Sequence, residues 1–423
     1  MSKNTELPKG EKPYYKSNKC LICKKKELIC YLSLGKAAPA NSYLTKRQLS
    51  KKEFKAPLEV YFCKNCNLAQ LLHIVDRSYI FSDYAYFSST SPMLVKHFED
   101  YANEVFKRYP QQSKQLVVDI GSNDGVLLKP FKKLGAKVLG IDPAKNIARI
   151  ANKDGIETLP VFFNKEIVKK LIKKYGKAGI LTSNNTLAHT DALHSIFEGA
   201  KEFLDEKGVF VFEVQYLVDL LSHNEFDNTY HEHICFHSIR PLQYLLNMYD
   251  MEIIDVIHTD THGGGIMVFA SHKLSSHSIS KTVQEFMENE KKLGLHKIST
   301  YKRFAKRPPM VKKSLTKLLK DLKKKGKKIT AYGASAKCTT LLQYCNIGSD
   351  VIDYITDSAP SKQGKFTPGS HIPIVAPEIL KLKTPDYIVI TAWNYAKNIM
   401  EKENWFTKKG GKFIIPIPEP KII

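Results

Sequence analysis

The central part of the chain alternates short apolar runs with stretches of helical periodicity. In LVVDIGSNDGVLL, residues 116–128, an apolar run of strand length ends at Gly121 and a helical pattern follows it. A second apolar run, AKVLGID, ends at Asp142. This order predicts a β-α-β unit whose first crossover begins with a glycine turn from Gly121 to Gly125.

The alternation continues beyond this unit. Apolar runs recur at GIETLP, AGILTSN and KGVFVFEVQ, and MEIIDVIHTDTHGGGIMVFAS has the length and turn of a hairpin. Seven strands in this order predict a Rossmann-like α/β sheet. A Lys-rich helical stretch then leads into a second α/β region with four apolar strand patterns. We therefore expect three domains, with boundaries 1–78, 79–275 and 276–423.

The N-terminal part carries two CxxC pairs, Cys20 with Cys23 and Cys63 with Cys66. Each pair presents two thiolates, and two pairs together complete the tetrahedral shell that zinc prefers. A closed shell of four thiolates leaves no open position, so the pattern predicts a structural zinc. A redox CxxC motif, the alternative, would be a single motif beside a β-α-β unit, and neither pair has that context.

Charge adds a question about partners. The 423 residues include 65 Lys and Arg against 42 Asp and Glu, a net charge of +23. Such an excess suggests nucleic acid, but the lysines are spread over the whole sequence and fall on helical patterns, as solvated faces do. A positive field also suits a small anionic substrate. The sequence has no apolar run of about twenty residues and no apolar signal core, so we expect a cytoplasmic protein without a membrane span.

The glycine turn departs from the dinucleotide fingerprint. It reads G-x-x-x-G after Asp119, rather than G-x-G-x-x-G, and the wider pair suits a ligand without a pyrophosphate. It resembles the first motif of class I S-adenosylmethionine (SAM) methyltransferases. The resemblance implies that the glycine backbone lies against the methionine part of SAM and that Asp142 holds the ribose hydroxyls.

The same resemblance extends the SAM site to residues after the third and fourth strands. The turn by itself is also compatible with an ordinary α/β domain that binds no SAM. The predicted cofactor-binding residues are Asp119, Gly121, Asn123, Asp124, Gly125, Asp142, Phe163 and Asn184.

Three polar clusters follow the predicted strands on their carboxyl side, where open α/β sheets bind ligands. They are residues 184–189, 230–233 and 262–265. The sequence Tyr230-His-Glu-His233 suggests a second metal, but His-Glu-His lacks the spacing that brings two histidines and a glutamate onto one face. Acid–base chemistry fits better, because histidine titrates near neutral pH and Tyr and Glu can orient it.

Together, the two CxxC pairs, the second Rossmann-like domain and the segments SDYAYFSSTS, DIGSNDGVLL, NNTLAH, FEVQYL, FDNTYHEH and HGGG resemble the sugar C-methyltransferases over nearly the whole length. These enzymes methylate a carbon of nucleotide-linked ketodeoxysugars, typically C3 of a 4-keto-6-deoxyhexose. The resemblance implies that a class I Rossmann-like SAM methyltransferase domain is flanked by a small N-terminal zinc-binding domain and a C-terminal Rossmann-like α/β domain. It also implies that His233 is the base. The predicted catalytic residues are His233, His189, Tyr230, Glu232 and Tyr86, with Tyr84 as the alternative to Tyr86.

This chemistry is reasonable in itself. A carbon next to a ketone loses a proton to a base once hydrogen-bond donors stabilise the enolate. We expect SAM and structural zinc as cofactors, a nucleotide-linked ketosugar as substrate, and a monomer or small homo-oligomer. The rival function is a zinc-containing methyltransferase of nucleic acid, which would interleave basic and aromatic residues along a groove. A non-catalytic SAM- or sugar-binding protein is a third class, which the glycine turn and the YHEH segment argue against.

Overall fold

The computed structural model describes residues 13–76, 79–80 and 88–423. In this part of the protein, sheets of two, four, seven and six strands carry the architecture. Tyr84 and Tyr86 lie outside the described residues, so the aromatic part of the predicted site stays a prediction.

The N-terminal module is a small β structure. Strands β2, β3 and β4 form an antiparallel sheet, and β1 pairs with β5. Its strands are β1 (Tyr14–Lys16), β2 (Leu28–Ala37), β3 (Ala56–Cys63), β4 (Ala69–Leu71) and β5 (His73–Val75).

The middle domain is built on the seven-stranded sheet, in the order β12-β13-β10-β9-β6-β7-β8. All neighbours pair in parallel except those of β13, which runs antiparallel to both β10 and β12. β6 lies inside the sheet and is buried at every position, as expected for a parallel strand covered on both faces. The strands are β6 (Leu116–Ile120), β7 (Lys137–Ile141), β8 (Thr158–Leu159), β9 (Ala178–Asn184), β10 (Leu204–Gln215), β12 (Met251–Thr259) and β13 (Gly265–His272).

Helices connect and cover these strands. The first begins where the Ser91 hydroxyl accepts a hydrogen bond from the Leu94 amide and Pro92 takes the first helical position. The helices are α1 (Pro92–Arg108), α2 (Pro110–Ser113), α3 (Leu128–Lys133), α4 (Lys145–Lys153), α5 (Lys165–Tyr175), α6 (Leu193–Phe203), α7 (Leu217–Ser222) and α8 (Ile239–Asn247).

The C-terminal region contains the six-stranded sheet, in the order β16-β15-β14-β17-β18-β19, with only β19 antiparallel. Its helices are α9 (Lys281–Lys292), α10 (Ile298–Phe304), α11 (Arg307–Lys324), α12 (Ala336–Cys345), α13 (Ile379–Leu382), α14 (Ala396–Lys402) and α15 (Asn404–Lys408). Its strands are β14 (Ile329–Tyr332), β15 (Ile355–Thr356), β16 (Ile374–Val375), β17 (Tyr387–Ile390), β18 (Lys412–Ile415) and β19 (Lys421–Ile422). This confirms the predicted Rossmann-like fold of both large domains, while the three boundaries stay predictions.

A two-residue strand, β11 (Cys235–Phe236), joins the middle domain to the N-terminal module. Cys235 pairs with Gln70 of β4, so β11 completes the N-terminal sheet as its fourth strand. The residue before β11, Ile234, donates its amide to the Ala188 carbonyl and accepts from the Leu71 amide. The YHEH segment is therefore held between the N-terminal module and the loop after β9.

Among the described helices, none combines the length and apolar character needed to cross a membrane.

Candidate active site

The four predicted zinc ligands come together. The sulfurs of Cys20, Cys23, Cys63 and Cys66 lie within 4.8 Å of one another, and all four residues are buried. The Cys20–Cys66 and Cys23–Cys63 sulfur distances are 3.5 and 3.4 Å. Zinc–thiolate bonds of about 2.3 Å in a tetrahedron separate the sulfurs by about 3.8 Å. The cluster therefore fits one zinc ion with four thiolates and no open position, which is a structural site.

Outer contacts orient this cluster. Gln70 donates from Nε2 to the Cys20 sulfur at 3.2 Å and accepts the Leu21 amide at Oε1 at 2.8 Å. His194, on α6, contacts the Ile22 carbonyl through Nε2 at 2.7 Å. Hydrogen bonds of this kind, from residues around the metal ligands, hold the ligands in their binding geometry. They also connect the metal module to the middle domain.

The predicted SAM turn has the backbone that its glycines require. Gly121 has a φ of +79°, and a Cβ atom there would meet the Thr186 hydroxyl at 2.2 Å. Asn123 also adopts a left-handed conformation, with φ of +47°. The turn is thus close to the loop after β9, and only glycine fits between the two.

Two acids stand at the strand ends beside this turn. Asp142 accepts the Asn123 amide at Oδ2 and the Ala144 amide at Oδ1, each at 2.9 Å. Asp119 accepts the Thr182 hydroxyl at 2.8 Å, and burial raises its pKa to about 7. Burial also raises the pKa of Asp142, although its two backbone donors favour the charged form. Asp142 lies at the end of β7, where the ribose acid is predicted.

The rest of the predicted SAM set divides into two groups. Asn123 and Asp124 hold the segment before α1, because they accept the amides of Ser88 and Ser89. Asn184 ends β9, and its side-chain oxygen and nitrogen are buried without a hydrogen-bond partner among the described residues. Such unsatisfied atoms fit a polar ligand at this strand end.

Phe163 is placed differently from a residue that lines an open pocket. Its ring is 7% exposed and stacks on Phe203 with 6.4 Å between centroids. The ring of the neighbouring Phe162 is 50% exposed. The predicted adenine contact of Phe163 stays a prediction, and Phe162 is the more accessible ring at this strand exit.

His233, Tyr230 and His189 come together beyond the ends of β9 and β10. Nδ1 of His233 lies 2.8 Å from the Asn228 carbonyl oxygen, which can only accept, so Nδ1 carries a proton. Nε2 lies 2.7 Å from the Tyr230 hydroxyl and, in the neutral ring, accepts from it. The ring of His189 meets that of His233 edge-on, with 4.9 Å between centroids. The proton on Nδ1 leaves Nε2 as the nitrogen that, in the neutral ring, carries the lone pair that a base needs.

Glu232 points elsewhere. Both its carboxylate oxygens accept from Nδ2 of Asn41 at 2.9 Å, and burial raises its pKa to about 7. Its neighbour His231 contacts the Ala56 carbonyl at 3.2 Å, and burial lowers its pKa to about 4. Both side chains therefore face the N-terminal module. The predicted catalytic part of Glu232 stays a prediction, and its contacts are those of an interdomain residue.

Sequence reasoning missed a buried group of residues behind His233. Gln215 and Asn228 both donate to the Glu225 carboxylate, at 3.1 and 2.6 Å. Both donors lie in the segments FEVQYL and FDNTYHEH, which contribute to the family resemblance. The polar character of these two segments was the available signal in the sequence. Only the structure shows that Gln215 and Asn228 share the Glu225 carboxylate.

Comparison with known proteins identifies the family of each part of the sequence. Family models match residues 20–81 as a putative zinc binding domain, 95–256 as a methyltransferase domain and 260–418 as a C-methyltransferase C-terminal domain. The protein is 34% identical over 406 residues to C-methyltransferase NovU of Streptomyces niveus, covering 96% of this sequence and 97% of that protein. A ubiquinone biosynthesis O-methyltransferase of Methylobacterium nodulans is 23% identical over 125 residues, 28% of this sequence and 50% of that protein.

A solved structure, magnesium protoporphyrin IX methyltransferase from Synechocystis PCC 6803 with bound SAH, is also similar. It has 14% identity and a TM-score of 0.35, over 42% of this sequence and 83% of that one. With full-length similarity to a C-methyltransferase, matches to all three domain models and a four-cysteine cluster, the protein belongs to the C-methyltransferase family, as a SAM-dependent enzyme with an N-terminal zinc-binding domain.

Proposed function

We propose that this enzyme methylates a carbon of a nucleotide-linked keto-deoxysugar, at C3 of a 4-keto-6-deoxyhexose, through an enolate. The observation that carries this proposal is the pair of contacts of His233, with Nδ1 at 2.8 Å from the Asn228 carbonyl and Nε2 at 2.7 Å from the Tyr230 hydroxyl. Methylation at carbon needs a base, because the carbon must first lose a proton. Methylation at a hydroxyl depends much less on such a base.

In this proposal Nε2 of His233 takes and holds the proton that leaves the carbon next to the ketone. The hydroxyl of Tyr230 orients the ring before substrate binds, and when the substrate carbon takes its place at Nε2, the released hydroxyl or His189 donates to the developing oxyanion. Bound SAM supplies the methyl group that the carbanion takes. Asp142 and the turn from Gly121 to Gly125 hold the SAM ribose and methionine parts.

The net charge of +23 supports an anionic substrate such as a sugar diphosphate. The family resemblance supports the ketosugar class. The product is a branched-chain sugar, for a surface polysaccharide or a glycosylated natural product.

The first test incubates the protein with SAM and a panel of nucleotide-linked ketosugars and measures a mass gain of one methyl group. Fragmentation then shows whether the methyl is on carbon. Failure of the whole panel, with a control methyltransferase active on its own substrate, would reject the sugar proposal.

The second test concerns the base. In heavy water with the demethylated cosubstrate, the wild type is expected to exchange deuterium into the ketosugar at the carbon to be methylated. His233→Ala should lower exchange and turnover roughly 100-fold or more, the range for losing a general base, and leave SAM affinity nearly unchanged. His277→Ala is the matched control, because the His277 ring also contacts a backbone carbonyl, that of Lys207, but His277 is not one of the predicted site residues. Wild-type exchange by the His233 variant would transfer the assignment to His189 or Tyr86.

A further inference from the structure

A buried cluster of charges lies where the C-terminal domain meets the turn at residues 226–228. Glu225 and Asp227 are fully buried, and Lys337, near the start of α12, is 9% exposed. Nζ of Lys337 lies 3.8 Å from Oε2 of Glu225 and 4.6 Å from the centroid of the Trp393 ring. Nε1 of Trp393 donates to Oδ2 of Asp227 at 2.7 Å. Lys337 and Trp393 of the C-terminal domain thus contact the carboxylates of Glu225 and Asp227 in the middle domain.

Buried carboxylates are unfavourable as anions unless a cation or hydrogen-bond donors compensate them. Burial raises the pKa of Glu225 to about 7 and that of Asp227 to about 6, and Lys337 opposes both shifts. Gly263 packs against the same cluster, because a Cβ atom there would lie 2.6 Å from Oε1 of Glu225. The HGGG segment therefore closes the cluster from the hairpin side.

Asn228 connects this cluster to the active site. Its side-chain Nδ2 donates to Oε2 of Glu225 at 2.6 Å, and its carbonyl accepts from Nδ1 of His233 at 2.8 Å. The oxygen that Asn228 contacts is the one beside Lys337. A charged acceptor holds an amide donor more strongly than a neutral one. The charge state of Glu225 therefore determines how firmly the partner of the His233 ring is held.

We propose that Lys337 and Trp393 are positioning residues for the base: Lys337 neutralises and Trp393 hydrogen-bonds the buried carboxylates, and Asn228 then keeps His233 in the orientation with Nδ1 protonated and Nε2 directed at Tyr230. The C-terminal domain completes the active site through this contact. The proposal rests on the proposed function insofar as it takes His233 as the base.

Lys337→Met removes the cation and keeps an aliphatic side chain against Trp393. In this variant Glu225 keeps the neutral donors Gln215 and Asn228 and the exposed His223, whose Nδ1 lies 3.5 Å from Oε1, but it loses its buried cation and therefore binds a proton more readily. A protonated carboxyl is a weaker acceptor for Nδ2 of Asn228 than a carboxylate. Nitrogen NMR of selectively labelled histidine is the first measurement, with the His233 signal assigned by its loss in His233→Gln. We expect the wild-type signal of a single Nδ1-protonated tautomer and, in Lys337→Met, a mixture of tautomers. This measurement needs no substrate.

Compensating variants separate positioning from substrate binding. Lys337→Arg keeps the charge and should behave as wild type. Glu225→Gln in the Lys337→Met background removes the buried anion that needed the lysine, and should restore both the His233 signal and turnover. On the proposed substrate, Lys337→Met should lower kcat roughly tenfold or more while KM changes less than about threefold.

The two tryptophans provide a matched control. Trp405 also donates from Nε1 to a carboxylate at 2.7 Å, that of Glu403, and has Lys409 at 5.4 Å from its ring. Trp393→Phe should perturb the His233 signal, and Trp405→Phe should not.

An unchanged His233 signal in Lys337→Met would overturn the inference. So would a raised KM that Glu225→Gln does not restore, which would make Lys337 a ligand of the anionic substrate. If the wild type methylates no ketosugar, the proposed function fails, while the NMR comparison still decides whether Lys337 positions His233.

Discussion

At the scale of single residues, the proposed SAM site assigns two sets of hydrogen bonds to the Asp142 carboxylate. Each oxygen already accepts a backbone amide, from Ala144 and from Asn123, and each keeps a lone pair for a ribose hydroxyl. A hydrogen bond to a charged group contributes about 1.5–3 kcal/mol, so Asp142→Ala should weaken SAM binding roughly 10- to 100-fold. Asp142→Asn should fall between, and Asp154→Ala, an exposed acid of the same β-α-β unit, should bind as wild type. Calorimetry that finds equal SAM affinity in Asp142→Ala would remove the ribose assignment.

The buried carboxyl of Glu232 predicts how the stability of the protein depends on pH. Its pKa is raised by burial from about 4.5 to about 7, so the folded state binds its proton more tightly than the unfolded state. The stability that this proton contributes is present below pH 4.5 and is lost as pH rises through 7. Glu232→Gln, which cannot ionise but can still accept from Asn41, should lose less thermal stability than wild type between about pH 5 and 8. Melting curves across this range test it, with the exposed Glu419→Gln as control; parallel curves would show that Glu232 is not the group.

At the scale of elements, the predicted strands of the two large domains lie within recognisable apolar runs, and this includes β8 and β15, which are two residues long but fall in the runs GIETLP and DVIDYIT. β6, β9 and β10 are predictable because parallel strands buried on both faces read as continuous hydrophobic segments. Strands β11, β16 and β19 are not predicted from the sequence, because two residues by themselves carry no periodicity.

The same limit applies to the site. Cys63, Gly121 and His233 are readable because local spacing and residue type define their chemistry. The contacts Asn41–Glu232 and Lys337–Glu225 join residues far apart in the sequence, so no local pattern encodes them. Sequence placed Glu232 with Tyr230 by adjacency, although the turn at residues 231–232 directs its side chain to another module.

At the scale of the whole molecule, the zinc cluster is connected to His233, the proposed base, by a short series of contacts. Gln70 contacts the Cys20 sulfur and pairs with Cys235 across β4 and β11. Ile234, directly after His233, is hydrogen-bonded to both Leu71 and Ala188. Zinc therefore stabilises the N-terminal sheet, and its edge strand β11 begins two residues after His233. The predicted SAM turn lies between β6 and β7, beside the loop after β9.

Removing the metal should consequently affect the two halves of the site unequally. Cys63→Ser should lower the zinc content below one per molecule, because the tetrahedral shell loses a thiolate. SAM affinity should stay near wild type, while deuterium exchange into the ketosugar falls roughly 100-fold, since small misplacements of a base are that costly. Cys30→Ser is the matched control, because this exposed cysteine lies on β2 outside the cluster. Metal analysis, calorimetry and exchange on the same preparations give the answer. A zinc-depleted protein that exchanges at the wild-type rate would show that the metal supports only its own module. A parallel loss of SAM binding would show that it supports the whole fold.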